Sequence, residues 1–213
     1  MRRFLLIIIG LTALTLSARA QDPGNAFDRQ LQKSALKLGM AGDYEIEDWI
    51  QYLPAATYFG LGFVNSMGEH STLERAMVLG TSWVGMAAVV VGTKYVVHRE
   101  RPDGSNFKSM PSGHASRSFM GAELIRLEYG PWWGLGAYTV ATGTAALRVC
   151  HNRHWGTDVL VGAGIGVLSA EIAWWLLPLE KKTLGLQRAG KSLAATPWYD
   201  GMGSFGCSLA LVF

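Results

Sequence analysis

Four stretches of this chain carry almost no charge over lengths that match the hydrocarbon interior of a lipid bilayer. Trp49–Met67 is uncharged over 19 residues, Ala76–Thr93 over 18 and Pro131–Leu147 over 17, and Val159–Leu179 holds one acid, Glu171, in 21. At 1.5 Å of rise per residue, helices of this length reach about 25–30 Å. The runs are too long for ordinary strands and lack sustained alternation, so they predict an all-α helical bundle. Small residues within them, such as Gly162, Gly164 and Gly166, allow helices to approach closely. A weaker run, Ser118–Ile125, is interrupted by Glu123 and flanked by Arg117 and Arg126. With it, the expected architecture is a membrane-embedded bundle of about five transmembrane helices. Only Phe205–Phe213 looks strand-like, and one strand cannot close a membrane barrel.

The composition narrows the classes of function. Charged residues make up 16% of the chain, where about 25% is usual for soluble domains. A chain this apolar has ample surface to bury, which excludes disorder. A formal net charge of +3 with no dense basic stretch argues against a nucleic-acid partner. Two cysteines, Cys150 and Cys207, cannot build a disulfide framework or a cysteine-only zinc site.

Residues 1–20 read as a secretory signal. Arg2 and Arg3 precede an apolar run from Phe4 to Leu16, and Ala18-Arg19-Ala20 offers a small-x-small cleavage site. Residues 21–48 form a polar segment ending in the acidic run Asp43–Asp48; Phe27, Leu31, Leu36 and Leu38 are spaced for a short amphipathic helix, expected as a solvated connector. The helical domain is expected over residues 49–180, and residues 181–213 form a C-terminal tail.

The unusual polar residues sit at the ends of the apolar runs. Lys94 follows one and Arg148 another; His114 precedes the third and Asp158 the last. Between Ile125 and Arg148 the chain passes along one run and back along the next. Lys94, Arg101, Ser112, His114, Arg148, His154 and Asp158 are therefore expected to converge at one end of the bundle, and ionisable groups so placed are functional candidates. Three cations gathered there repel one another unless an anion lies between them. Arg101 and Arg148 offer planar donor forks suited to phosphate oxygens, and Lys94 a compact charge. Pro111-Ser112-Gly113-His114 reads as a turn opening a helix, with Ser112 as cap and free N–H groups facing the anion. The inferred ligand is a phosphoryl group.

His154 and Asp158 are four apart, on one helical face, where a carboxylate can fix the imidazole's tautomer and activate it as a nucleophile. His114 is then free to protonate the leaving oxygen. This division of labour needs no metal, and no His-Glu-x-x-His helix or cysteine pair suggests one. His70, His98 and His151 are read as structural. Arg99, Arg126 and Arg153 are read as helix-end cations reaching lipid headgroups, and Arg117 as doing the same or reaching the site.

At these residues the chain resembles the type 2 phosphatidic acid phosphatase superfamily, which also contains vanadium haloperoxidases and bacterial class A acid phosphatases. The family's Lys-x6-Arg-Pro appears as Lys94-YVVHRE-Arg101-Pro102, and Pro-Ser-Gly-His is intact at Pro111 to His114. The third motif, Ser-Arg-x5-His-x3-Asp, reads Leu147-Arg148-VCHNR-His154-WGT-Asp158. The resemblance covers roughly residues 49–180. It implies His154 as nucleophile through a phosphohistidine, Asp158 as its orienting partner and His114 as general acid. It further implies that Lys94, Arg101, Arg148, Ser112 and Gly113 bind the phosphate oxygens, with no cofactor and no metal. The departure is Leu147, which stands where the family has Ser and removes one expected phosphate contact.

A cleaved signal, followed by inward and outward crossings in turn, places both halves of the site outside and leaves Lys181, Lys182, Arg188 and Lys191 in the cytoplasm. The leading expectation is an enzyme of the bacterial inner membrane with a periplasm-facing site. It would hydrolyse the phosphomonoester or pyrophosphate of a lipid: phosphatidate, phosphatidylglycerophosphate, undecaprenyl pyrophosphate or lipid A. The alternatives are a soluble periplasmic acid phosphatase with the same site and a non-enzymatic phospholipid-binding membrane protein.

Overall fold

The computed structural model describes residues 24–40, 46–63 and 68–186, and the backbone of 192–199 and 205–212. The expected signal at 1–20 lies outside the described residues. Seven helices occur among those described: α1 (Ala26–Leu36), α2 (Ile46–Ile50), α3 (Leu53–Leu61), α4 (Thr72–Val97), α5 (Gly113–Tyr129), α6 (Pro131–Cys150) and α7 (Gly156–Thr183). The architecture is the expected all-helical bundle. After it, β1 (Ser192–Tyr199) and β2 (Phe205–Val212) pair antiparallel, Ser192 opposite Val212 and Tyr199 opposite Phe205. The strand-like tail thus finds its partner in the preceding segment.

Local chemistry sets the helix ends. At the start of α4, Ser71 Oγ accepts from Glu74 N while Ser71 N donates to Glu74 Oε2 at 2.8 Å, a reciprocal cap. The helix stops at His98, which takes a left-handed φ of 46°. Gly130, at φ 92°, separates α5 from α6, and Pro131 opens α6 where its missing N–H costs nothing.

Among the described residues, two helices, Thr72–Val97 and Gly156–Thr183, are long and apolar enough to cross a membrane. The run beginning at Trp49 departs from expectation, because it is divided between α2 and α3 rather than forming one long helix. Pro54 has no N–H to donate and sits in the first turn of α3, where it starts a helix instead of continuing one. At nine residues, α3 covers only about 14 Å.

The central helix is α5, which packs most extensively against α6 and α7. Its contact with α7 is backbone to backbone. A Cβ on Gly162 would stand 2.5 Å from the Ser112 carbonyl oxygen, and one on Gly166 2.2 Å from that of Ser116. The charges that weakened the α5 run are answered inside the bundle. Arg126 Nε donates to Glu123 Oε2 at 2.7 Å and its Nη2 to Glu171 Oε1 at 2.8 Å, and Tyr138 Oη donates to Glu123 Oε2 at 2.5 Å. Met120, Leu124, Ile125, Val161 and Ile165 fill the core. Large apolar side chains such as Val84, Trp132, Leu160 and Trp175 point outwards. That is the inverted surface expected of helices facing hydrocarbon.

α1 is a docked helix rather than a solvated connector. Asp28 and Ala35 are buried against the bundle while Phe27 and Leu38 remain exposed.

Candidate active site

Lys94 ends α4, His114 opens α5, Arg148 ends α6 and Asp158 opens α7, so all four lie at one end of the bundle. Arg101 and Ser112 come from the 98–112 loop and His154 from the 151–155 loop. The charge of Lys94 falls within electrostatic range of Arg101, Arg117, Arg148 and Asp158, and that of Arg148 within range of His154. The residues expected to converge are brought together.

Ser112 caps α5: its Oγ accepts from Ala115 N at 3.5 Å, and its own N–H donates to the Asp158 carbonyl at 2.9 Å. That bond pins the start of α5 to the first turn of α7. Asp158 is fully buried and uses both carboxylate oxygens. Oδ1 accepts from Arg99 Nη1 at 2.7 Å; Oδ2 accepts from Ser109 Oγ at 2.5 Å and from Trp155 N at 2.9 Å. Nδ1 of His154 lies 3.7 Å from Oδ2, an ion-pair distance longer than a hydrogen bond. The carboxylate and imidazole are therefore neighbours, but the expected hydrogen bond between them is not formed, and Oδ2 is held by two other donors. Burial pushes the His154 imidazole down to about 4, against the opposing pull of Asp158.

The cations meet a second set of acids, supplied by α2. Glu47 Oε1 accepts from Arg148 Nη1 at 3.0 Å and lies 2.7 Å from His151 Nδ1; Asp48 Oδ1 lies 2.6 Å from His114 Nε2. Arg117 Nη1 donates to Gln51 Oε1 at 2.7 Å, and Lys94 Nζ to the Lys108 carbonyl at 2.6 Å. Among the described residues, Nε of Arg101 and Nε of Arg148 at this end of the bundle are buried donors without a hydrogen-bond partner in the protein, a state shared elsewhere by Nε of Arg75 and Oη of Tyr58. Cationic N–H groups left in this state suit an anion. Near the site, α1, α5, α6 and α7 border an open apolar groove of about 580 Å³, lined by Phe27, Leu31, Phe119, Val149, Val159 and Leu160 among others.

Sequence reasoning missed four participants. Arg99, expected at the headgroups, is instead 5% exposed and bound to Asp158. Asp28, Glu47 and Asp48 reach the site from the N-terminal segment. The acidic run at Asp43–Asp48 was a signal for the last two, although residues 43–45 lie outside those described. For Asp28 the sequence carries no signal beyond a lone acid on a short amphipathic helix.

The site and fold have known counterparts. The PAP2 superfamily family model matches residues 75–182. This chain belongs to the PAP2 superfamily. It is 44% identical over 152 residues, 68% of its length, to a protein of Porphyromonas gingivalis named lipid A 1-phosphatase. It spans only about a third (34%) of the length of that curated relative. Two crystal structures share its fold at low identity. Aquifex aeolicus LpxE superposes with a TM-score of 0.56 at 17% identity, covering 72% of this chain and 98% of its own. A transmembrane PAP2 type phosphatidylglycerolphosphate phosphatase of Bacillus subtilis superposes at 0.59 with 18% identity, covering 89% and 99%.

Proposed function

We propose that this protein is a membrane phosphatase that hydrolyses a phosphate ester or pyrophosphate of a lipid, without a metal, through a phosphohistidine on His154. The observation that carries the reading is the meeting of Lys94, Arg101 and Arg148 with His114 and the buried His154–Asp158 pair, where the buried Nε donors of both arginines have no protein partner. In this reading His154 Nε2 attacks phosphorus in line while its Nδ1 faces Asp158. The bond from phosphorus to the lipid oxygen breaks, and His114 donates a proton to that oxygen. Burial and Arg148 push His114 down to about 4 against the pull of Asp48, so the negative charge of the bound phosphate must raise it for this step. Lys94, Arg101, Arg148 and the amides at Ser112–Gly113 carry the charge of the pentacoordinate state. Water then attacks phosphorus and gives a proton to His114, the bond from phosphorus to His154 Nε2 breaks, and inorganic phosphate leaves. The glutamate and aspartate of α2 share these cations, and substrate must compete with Glu47 for Arg148.

A lipid substrate is supported by the outward-facing apolar side chains, by the apolar groove near the site and by the P. gingivalis relative, whose name makes a phosphate of lipid A the first candidate. The active end lies opposite Lys181 and Lys182 at the close of α7, and the positive-inside preference then turns the site towards the periplasm.

The test is inorganic phosphate release by detergent-purified protein with chelator present. The panel is lipid A, phosphatidylglycerophosphate, phosphatidate, undecaprenyl pyrophosphate and a soluble aryl phosphate, with His154→Ala as control. Release from a lipid, lost in the variant, supports the proposal. Release from the aryl phosphate alone would indicate a general acid phosphatase, and release from nothing a lipid-binding protein.

A further inference from the structure

Arg99 is a buried cation that the three motifs leave without a role. It lies between Lys94 and Arg101 in the sequence, yet its Nη donors are bound to two acids and a hydroxyl. Its Nη1 donates to Asp158 Oδ1 at 2.7 Å and to Thr157 Oγ1 at 2.6 Å, and its Nη2 donates to Asp28 Oδ2 at 2.6 Å. Asp28 is fully buried and makes two more bonds. Its Oδ1 accepts from Thr157 N at 2.8 Å, and its Oδ2 accepts from Thr157 Oγ1 at 2.8 Å. One guanidinium thus joins a carboxylate on the N-terminal helix to the carboxylate beside His154. Each Nη serves a different acid in the fixed plane of the guanidinium, a geometry that the single nitrogen of a lysine does not reproduce. The guanidinium also lies 5.7 Å from the centre of the Trp155 ring, whose Nε1 donates to the Glu100 carbonyl at 2.8 Å, so the 98–112 and 151–155 loops are tied together here.

Two buried acids sharing one cation divide its charge. Whatever Asp28 takes is withheld from Asp158, and the charge left on Asp158 acts on His154.

We propose that Arg99 and Asp28 are positioning residues for the His154–Asp158 pair: Asp28 sets how far Arg99 neutralises Asp158, and thereby the orientation and basicity of His154. The inference rests on the reading of His154 as nucleophile. It makes α1, outside the span matched by the family, part of the catalytic apparatus.

The experiment uses the full chain in detergent and the variants Arg99→Gln, Arg99→Lys and Asp28→Asn. Titration of His154 is followed by NMR and assigned through its loss in His154→Ala, with kcat and KM measured in parallel. The other charges facing His154, namely Lys94 from α4, Arg148 from α6 and Asp158 from α7, are left in place. Arg99→Gln is expected to raise the His154 midpoint by about one pH unit, because Asp158 then keeps its full charge. Asp28→Asn is expected to lower it, because Arg99 is then undivided. Misplacing the nucleophile should cut kcat about tenfold or more, with KM little changed, because neither residue is placed against phosphate. Arg99→Lys should bring the midpoint back towards wild type without recovering kcat.

An unchanged His154 midpoint in Arg99→Gln and Asp28→Asn overturns the proposal, as does a KM effect with kcat intact. Should Arg99→Gln not fold, Asp28→Asn, which keeps the size of the side chain and one of its two acceptor oxygens, decides by the same titration. Equal phosphate release by wild type and His154→Ala would refute the nucleophile reading, while the titration still reports on the relay.

Discussion

Asp158 stands 3.7 Å from Nδ1 of His154 while three other donors, on Arg99, Ser109 and Trp155, hold its carboxylate in place. The acid is thus fixed before the imidazole is added to its partners. Asp158→Asn keeps the shape but loses the charge that stabilises an imidazolium or a phosphohistidine. It is expected to reduce phosphate release by about a hundredfold or more. Steady-state rates on the responsive lipid would check this, with circular dichroism to establish folding.

The pH dependence follows from the buried nucleophile. His154 is pushed below its ordinary 6.5 to about 4, so it is neutral, and able to attack, at any pH above that value. Protonation removes the nucleophile only as pH falls through about 4. The acid limb of the kcat/KM profile, which reports the free enzyme, should therefore lie near that value. A limb centred at the ordinary histidine value would show that His154 is solvated in the working enzyme.

Glu47 occupies Arg148 and His151 from a position 1% exposed. Glu47→Gln leaves Arg148 without its counter-charge, which should cost about 1–3 kcal/mol of stability. Added orthophosphate should recover part of that loss and inhibit the variant more strongly than wild type. Thermal unfolding with and without phosphate, together with inhibition constants, would decide the matter.

At Gly166 a methyl group would sit 2.2 Å from the Ser116 carbonyl oxygen. Gly166→Ala must push α5 and α7 apart, for an expected loss of about 1–3 kcal/mol. Activity should fall further than stability alone explains, because the Ser112–Asp158 bond spans the same seam. A thermal unfolding curve beside the specific activity of the folded fraction tests this.

The bundle and the meeting of the charged groups were legible because both depend on local order: uncharged runs make helices, and residues at alternate run ends meet. That order alone puts Lys94, His114, Arg148 and Asp158 at one end of the bundle. Arg99 was misjudged because a cation at a helix end is usually solvated, and its two acids lie 71 and 59 residues away in the chain. The division of the first run was signalled by Pro54, but the absence of charge around it argued for a single helix. Asp28 was invisible because burial of one acid on a polar helix is decided by its partner, not by its spacing.

The contact of Gly162 and Gly166 with the backbone of Ser112 and Ser116 has an evolutionary consequence. Main chain resting on main chain fixes the separation between the opening of α5 and that of α7, with no intervening side chain to vary. The outward faces that carry Val84, Trp132 and Trp175 are free of that duty. Residues there can drift to suit bilayers of different thickness or different acyl chains without moving His114 relative to His154. The glycines act as the gauge block of the bundle, and its outward faces are interchangeable tooling.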